Sequence, residues 1–151
     1  MNRKQNLIVV LSALLLLVAS VPVRAADLPS TLMDPYLRIH VSLAGDTMDG
    51  VAASAKALSQ EAQKLSVQAK TVATTAAKLA TAKDIINARH DFGELSDAMM
   101  AYAKATGATF GPDVNVAFCP MVKKPWLQKG QNITNPYFGK SMLTCGEIRK
   151  G

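Results

Sequence analysis

Two cysteines, one tryptophan and two histidines are spread over 151 residues, and aromatic residues make up only 5% of the chain. Two cysteines exclude a disulfide-rich scaffold, and the chain is long enough to build an ordinary core without one. The cysteines do not form a Cys-x-x-Cys redox motif. There is no His-Glu-x-x-His, no glycine-rich phosphate loop and no serine-centred elbow, so the common hydrolytic and phosphoryl-transfer sites lack their signatures. A cysteine nucleophile needs a base beside its thiol, and the sequence places neither His40 nor His90 near a cysteine. The expectation is a protein that is not an enzyme. Charge is not extreme either. The formal net charge is +6, and Arg3, Lys4 and Arg24 contribute three of those charges in a segment without acids, which leaves +3 for the remainder. A surplus of that size gives no reason to expect a nucleic-acid partner.

What is present begins with an export signal. Arg3 and Lys4 form a positive start, Leu7 to Ala19 is an apolar run, and Val23-Arg24-Ala25 has the small residues of a cleavage site. Residues 1–25 therefore read as a cleaved secretory signal peptide. The apolar run is short of the roughly 20 residues of a membrane span, so no stable span is expected in the mature form. With no lipobox cysteine, the simplest destination is a bacterial periplasm. Residues 26–31 read as a linker, and 32–151 as a single domain.

That domain opens with helical spacing. Leu32, Tyr36, Ile39 and Leu43 form one stripe that Gly45 stops, with Ser30 as the expected N-cap. Asp46 or Thr47 is expected to cap the next helix. A seam then runs through Val51, Ala55, Leu58, Ala62, Leu65, Ala69, Val72, Ala76 and Leu79 in alternating steps of four and three. One helix over 47–80 would be about 50 Å long, so a break near Leu65 to Ala69 is expected, although no Gly or Pro marks it. Thr81 and Asp84 have capping-box spacing. Ile85, Ala88, Phe92, Leu95, Met99 and Tyr102 follow as a further stripe that ends at Gly107. Past Gly107 the helical period disappears. Val114, Val116 and Phe118 alternate like a short strand. The expected fold is mainly α, a three- or four-helix antiparallel bundle with a small irregular C-terminal lobe, about 108–151, containing short strand-like segments.

Both cysteines lie in that lobe, each beside a methionine. Cys119 and Met121 share one face of an extended segment, which Pro120 favours. Met142 and Cys145 share one side of a helical turn. Two thiols and two thioethers brought together would suit monovalent copper or silver. Alternatively, Cys119 and Cys145 form a disulfide and the methionines fill the core. Both alternatives remain open on sequence. His40 and His90 each fall inside an expected helix, where a histidine is usually a surface or satisfied core residue rather than a ligand.

The chain is similar to the bacterial exported domain-of-unknown-function family that also occurs fused to periplasmic adaptor subunits of heavy-metal efflux pumps. The residues that carry the resemblance are Ala88-Arg89, Phe92, Leu95-Ser96, Cys119-Pro120-Met121, Trp126-Leu127, Asn135-Pro136-Tyr137-Phe138-Gly139 and Met142-Leu143-x-Cys145-Gly146. The resemblance implies a helical domain linked to copper or silver handling, with an efflux adaptor or another periplasmic protein as partner. It does not imply an enzyme. This chain carries no adaptor domain, so the expectation is a free-standing periplasmic metal-binding protein acting in sequestration, hand-over or efflux support. The competing expectation is a non-metal structural or interaction domain whose lobe is stapled by Cys119–Cys145.

Overall fold

A computed structural model describes residues 25–149; the expected signal peptide therefore lies almost wholly outside the described residues. Helix α1 (Ser30–Ala44) buries the predicted stripe of Leu32, Tyr36, Ile39 and Leu43. Its first residue is Ser30 rather than its cap, which is Pro29. The alanine-rich seam divides into α2 (Val51–Gln63) and α3 (Lys70–Leu79), joined through a 3-10 turn at Val67–Ala69. Val51, Ala55, Leu58, Ala62, Ala69, Val72, Ala76 and Leu79 are all buried, whereas Leu65 sits in the break and is exposed. The small side chains let α2 and α3 approach until Ser59 Oγ donates to the Ala73 carbonyl at 2.8 Å. Neither Asp46 nor Thr47 caps α2, which begins beyond Gly50. Helix α4 (Ile85–Thr106) is capped by Asp84, whose carboxylate accepts from Asn87 N at 2.8 Å. Thr81 donates to Lys78 O instead of joining a capping box. Each helix packs on the next in the chain, α1 on α2, α2 on α3 and α3 on α4.

Two expectations need correction. Residues 26–31 are not a free linker: Leu28 is buried, its N–H donates to Thr109 O at 2.7 Å, and Thr109 N–H donates to Ala26 O at 3.0 Å. Nor is the fold a helical bundle with an irregular lobe of strand-like segments. The C-terminal part contains a three-stranded antiparallel sheet in the order β2-β1-β3, formed by β1 (Val114–Cys119), β2 (Lys124–Lys129) and β3 (Glu147–Arg149). Helices and sheet share one core, which includes Ala117, Cys119, Trp126 and Leu127 beside the helical residues. The arrangement is helix-rich with a defined sheet.

Strand β2 explains why alternation missed this. It lies along α1 and α4, so Trp126, Leu127 and Gln128 are buried in succession and no period of two survives. Its outer edge is closed by tyrosines. Leu127 N–H donates to Tyr36 Oη at 3.1 Å, and the Tyr137 hydroxyl donates to Pro125 O. Covering an edge in this way removes a template for pairing with another chain. Pro125 lacks an N–H, as suits an edge strand. The hairpin docks on α4 at Gly93, where an added Cβ would meet Lys124 Cγ at 3.4 Å and Tyr137 Cε1 at 3.5 Å. Lys124 reaches across to Glu94 and Asp97.

Candidate functional site: a buried thiol against a half-exposed one

Cys119 ends β1, fully buried, and the following Pro120 turns outward into solvent. Cys145 lies two residues before β3. The pairing Val116↔Arg149, Ala117↔Ile148 and Phe118↔Glu147 extends to Cys119 beside the Cys145–Gly146 peptide. Cys119 and Cys145 thus lie side by side, where an added Cβ on Gly146 would stand 3.0 Å from Phe118 O. They are not joined as a disulfide. Burial first, then the neighbouring Cys119, pushes the Cys145 thiol above its ordinary pKa. Cys145 is half-buried, so the pair has one inner and one outer sulfur.

Backbone geometry fixes Cys145 from both sides. Its N–H donates to Met142 O at 3.0 Å, closing the 3-10 turn Gly139–Met142. Its carbonyl accepts from Asn135 Nδ2 at 2.6 Å. Asn135 is fully buried, and its Oδ1 accepts from Tyr137 N at 2.8 Å. Gly146 then passes over the Trp126 ring at φ +143°, a conformation L side chains rarely adopt. A Cβ there would stand 2.7 Å from Trp126 Cη2. Trp126 meets Tyr137 edge-on at 5.9 Å, and Tyr137, Phe92 and Tyr36 continue as a chain of rings. Burial holds both tyrosine hydroxyls well above the ordinary phenol pKa, so they remain neutral donors.

Most of the residues that carried the family resemblance serve this architecture. Arg89 Nε donates to Pro136 O at 2.9 Å, and its Nη2 donates to Leu43 O at 3.0 Å and to the Asp46 carboxylate at 2.5 Å. Asp46 also accepts from Lys140 N at 3.0 Å. Arg89 and the Lys140 N–H hold the Asp46 carboxyl below its ordinary pKa. One guanidinium thus ties α4, the end of α1 and the 135–140 segment together. Ser96 Oγ bonds Tyr36 Oη at 2.6 Å, and Gln128 Oε1 accepts from both Trp126 Nε1 and Thr134 N. Sequence reading did not find Asp46 or Gln128 as organisers; their only signal is polar character inside or beside apolar stripes.

The four sulfur residues are placed unequally. The thiols of Cys119 and Cys145 are together. Met121, on the β1–β2 turn, is 64% exposed and Met142 is 37% exposed, so neither fills the core. His40 is a satisfied core histidine: its Nε2 lies 2.8 Å from Thr134 O. Burial lowers its pKa, against the opposing pull of that carbonyl. His90 lies on the surface with Nδ1 3.2 Å from Asp91. Among the described residues, no three His, Cys, Asp or Glu side chains gather to hold a metal. Beside the hairpin turn, a groove of about 300 Å³ runs between Ile86, His90, Val122 and Tyr137, with Ile86 and Val122 exposed. No family model matches the chain, and no curated protein or solved structure does so either.

Proposed function

We propose that this is an exported, periplasmic binding protein for a soft monovalent ion, copper(I) or silver(I). In this reading Cys119 and Cys145 supply the ligands, and Met121 and Met142 flank them at the surface. The observation that carries it is an inner and an outer cysteine placed side by side, each with an exposed methionine two or three residues away in sequence. Thiolates are charged and polarisable and dominate affinity; thioethers add preference for monovalent copper and silver over zinc. An ion bound there displaces the thiol protons, so binding releases acid. The half-exposed Cys145 and the exposed methionines give a route by which an ion passes to or from another carrier, as sequestration, hand-over or efflux support requires. The resemblance to domains fused to heavy-metal efflux adaptors supports the same reading and names the class of partner.

A second reading has its own observation. The same proximity suits a Cys119–Cys145 staple, and the groove between the exposed Val122 and Ile86 suits an interaction domain without metal. A competition titration with copper(I) under reducing conditions separates the two. Reduced wild type is expected to bind one equivalent, and the Met121→Leu/Met142→Leu double variant to bind more weakly. Exposed substitutions of this kind shift stability by no more than about 0.5 kcal/mol, so a weaker affinity would report lost thioether ligands. No binding by reduced wild type would leave the interaction reading.

A further inference from the structure

The two cysteines differ in access and lie side by side on neighbouring segments, and together these facts have a chemical consequence. A reagent in solution reaches the half-exposed Cys145 and not the fully buried Cys119. Once Cys145 is in a mixed disulfide, the attacking group is already its neighbour, because the β1–β3 pairing places Cys119 beside the Cys145–Gly146 peptide. We propose that the pair is a redox gate on the soft-ion site, entered through Cys145 and closed by Cys119. This rests on the metal reading above and adds its regulation.

The chemistry balances with a small disulfide, such as oxidised glutathione, as the oxidant. The Cys145 thiolate attacks one sulfur of the reagent. An S–S bond forms to Cys145, the reagent S–S bond breaks, and one thiol leaves. The Cys119 thiolate then attacks Cys145 Sγ, forms the protein disulfide and expels the second thiol. Two cysteines lose two electrons and two protons, and the reagent disulfide gains them as two thiols. In the disulfide neither sulfur retains a thiolate lone pair for copper(I) or silver(I), so metal occupancy and oxidation exclude each other.

The fold allows this closure to be reversible. Strand β3 has only three residues and is held to the sheet by β1 alone. The Cys145 backbone is fixed by Asn135 and Met142 independently of the sulfur, so reduction leaves the pair in place. Closing residues 119–145 into a covalent loop restricts the unfolded chain. It should raise Tm by roughly 10 °C relative to the reduced protein.

The test uses the full mature chain, reduced and then mixed with oxidised glutathione. Products are trapped with an alkylating reagent over time and mapped by mass spectrometry. In wild type the first adduct is expected on Cys145, followed by loss of glutathione and an internal disulfide. Cys119→Ala should stop at a stable Cys145 adduct. Cys145→Ser, confirmed as folded by circular dichroism, should react at Cys119 roughly tenfold or more slowly than wild type. Alkylation of untreated wild type repeats the order of access without any variant. First reaction at Cys119, or no internal disulfide, overturns the gate. Silver(I) titration of the two redox forms completes the experiment. Binding by the reduced form alone, with silver blocking oxidation, supports the gate. Equal binding by both forms overturns the gate and leaves the metal reading standing. No binding by the reduced form overturns both.

Discussion

Asn135→Asp isolates the hydrogen bond that sets Cys145 against Cys119. The substitution keeps shape and keeps the acceptor for Tyr137 N. It removes the Nδ2 donor that meets the Cys145 carbonyl at 2.6 Å and puts a carboxylate oxygen against that carbonyl. An unsatisfied buried acceptor costs about 1–3 kcal/mol, and ionising a fully buried carboxyl adds to it. The expected loss at pH 7 is about 3 kcal/mol, or roughly 10 °C in Tm. The loss should depend on pH. A protonated carboxyl donates to the Cys145 carbonyl as the amide did, so the folded state favours the neutral acid. At 1.36 kcal/mol per unit, 3 kcal/mol corresponds to a folded-state pKa about two units above the ordinary Asp value near 4. A carboxyl with a raised folded pKa binds more protons folded than unfolded. The deficit is therefore full above about pH 6 and absent below about pH 4. Urea unfolding of variant and wild type at several pH values measures the difference, and titration common to both proteins cancels. Equal stability at pH 7, or a deficit that does not change with pH, would refute the role assigned to Asn135.

Other expectations follow from single contacts. Gly146→Ala should cost about 3 kcal/mol by thermal unfolding, since it combines an unfavourable positive φ with a Cβ 2.7 Å from Trp126. Arg89→Lys should cost about 2 kcal/mol, because a single ammonium cannot repeat the fork to Leu43, Pro136 and Asp46; unchanged stability would contradict the clamp. His40 has its pKa lowered by burial, so the unfolded chain binds more protons than the folded one below the ordinary value of 6.5. Its contribution is complete above that pH and is lost as pH falls towards the folded-state value. His40→Gln, which retains a donor for Thr134 O, should flatten that part of the stability profile in denaturant titrations.

The helical part was legible because its signal is local. Leu32, Tyr36, Ile39 and Leu43 bury one face of α1 whatever they pack against, and the Val51-to-Leu79 seam reads directly as a buried stripe. Even the division of that seam was readable from length, although its cause was not. The caps were less legible: Asp84 works alone, and Asp46, expected to cap α2, is committed to Arg89 across the fold. For the site, sequence named Cys119, Met121, Met142 and Cys145 and grouped them by spacing.

Legible in the sequence were the apolar stripes of the helical part, the small side chains of their seam, and both cysteines in the last third, although the number of helices stayed at three or four. That this last third contains a three-stranded sheet is a property of the folded chain. Residues 124–129 are flanked by helices on one edge and by β1 on the other, and a strand so placed loses its alternating pattern. It took the folded chain to bring the two cysteines side by side, because that follows from pairing between β1 and β3. Residues so far apart along the chain meet through cross-strand register and through buried polar groups such as Asn135, and neither leaves a periodic trace in the sequence.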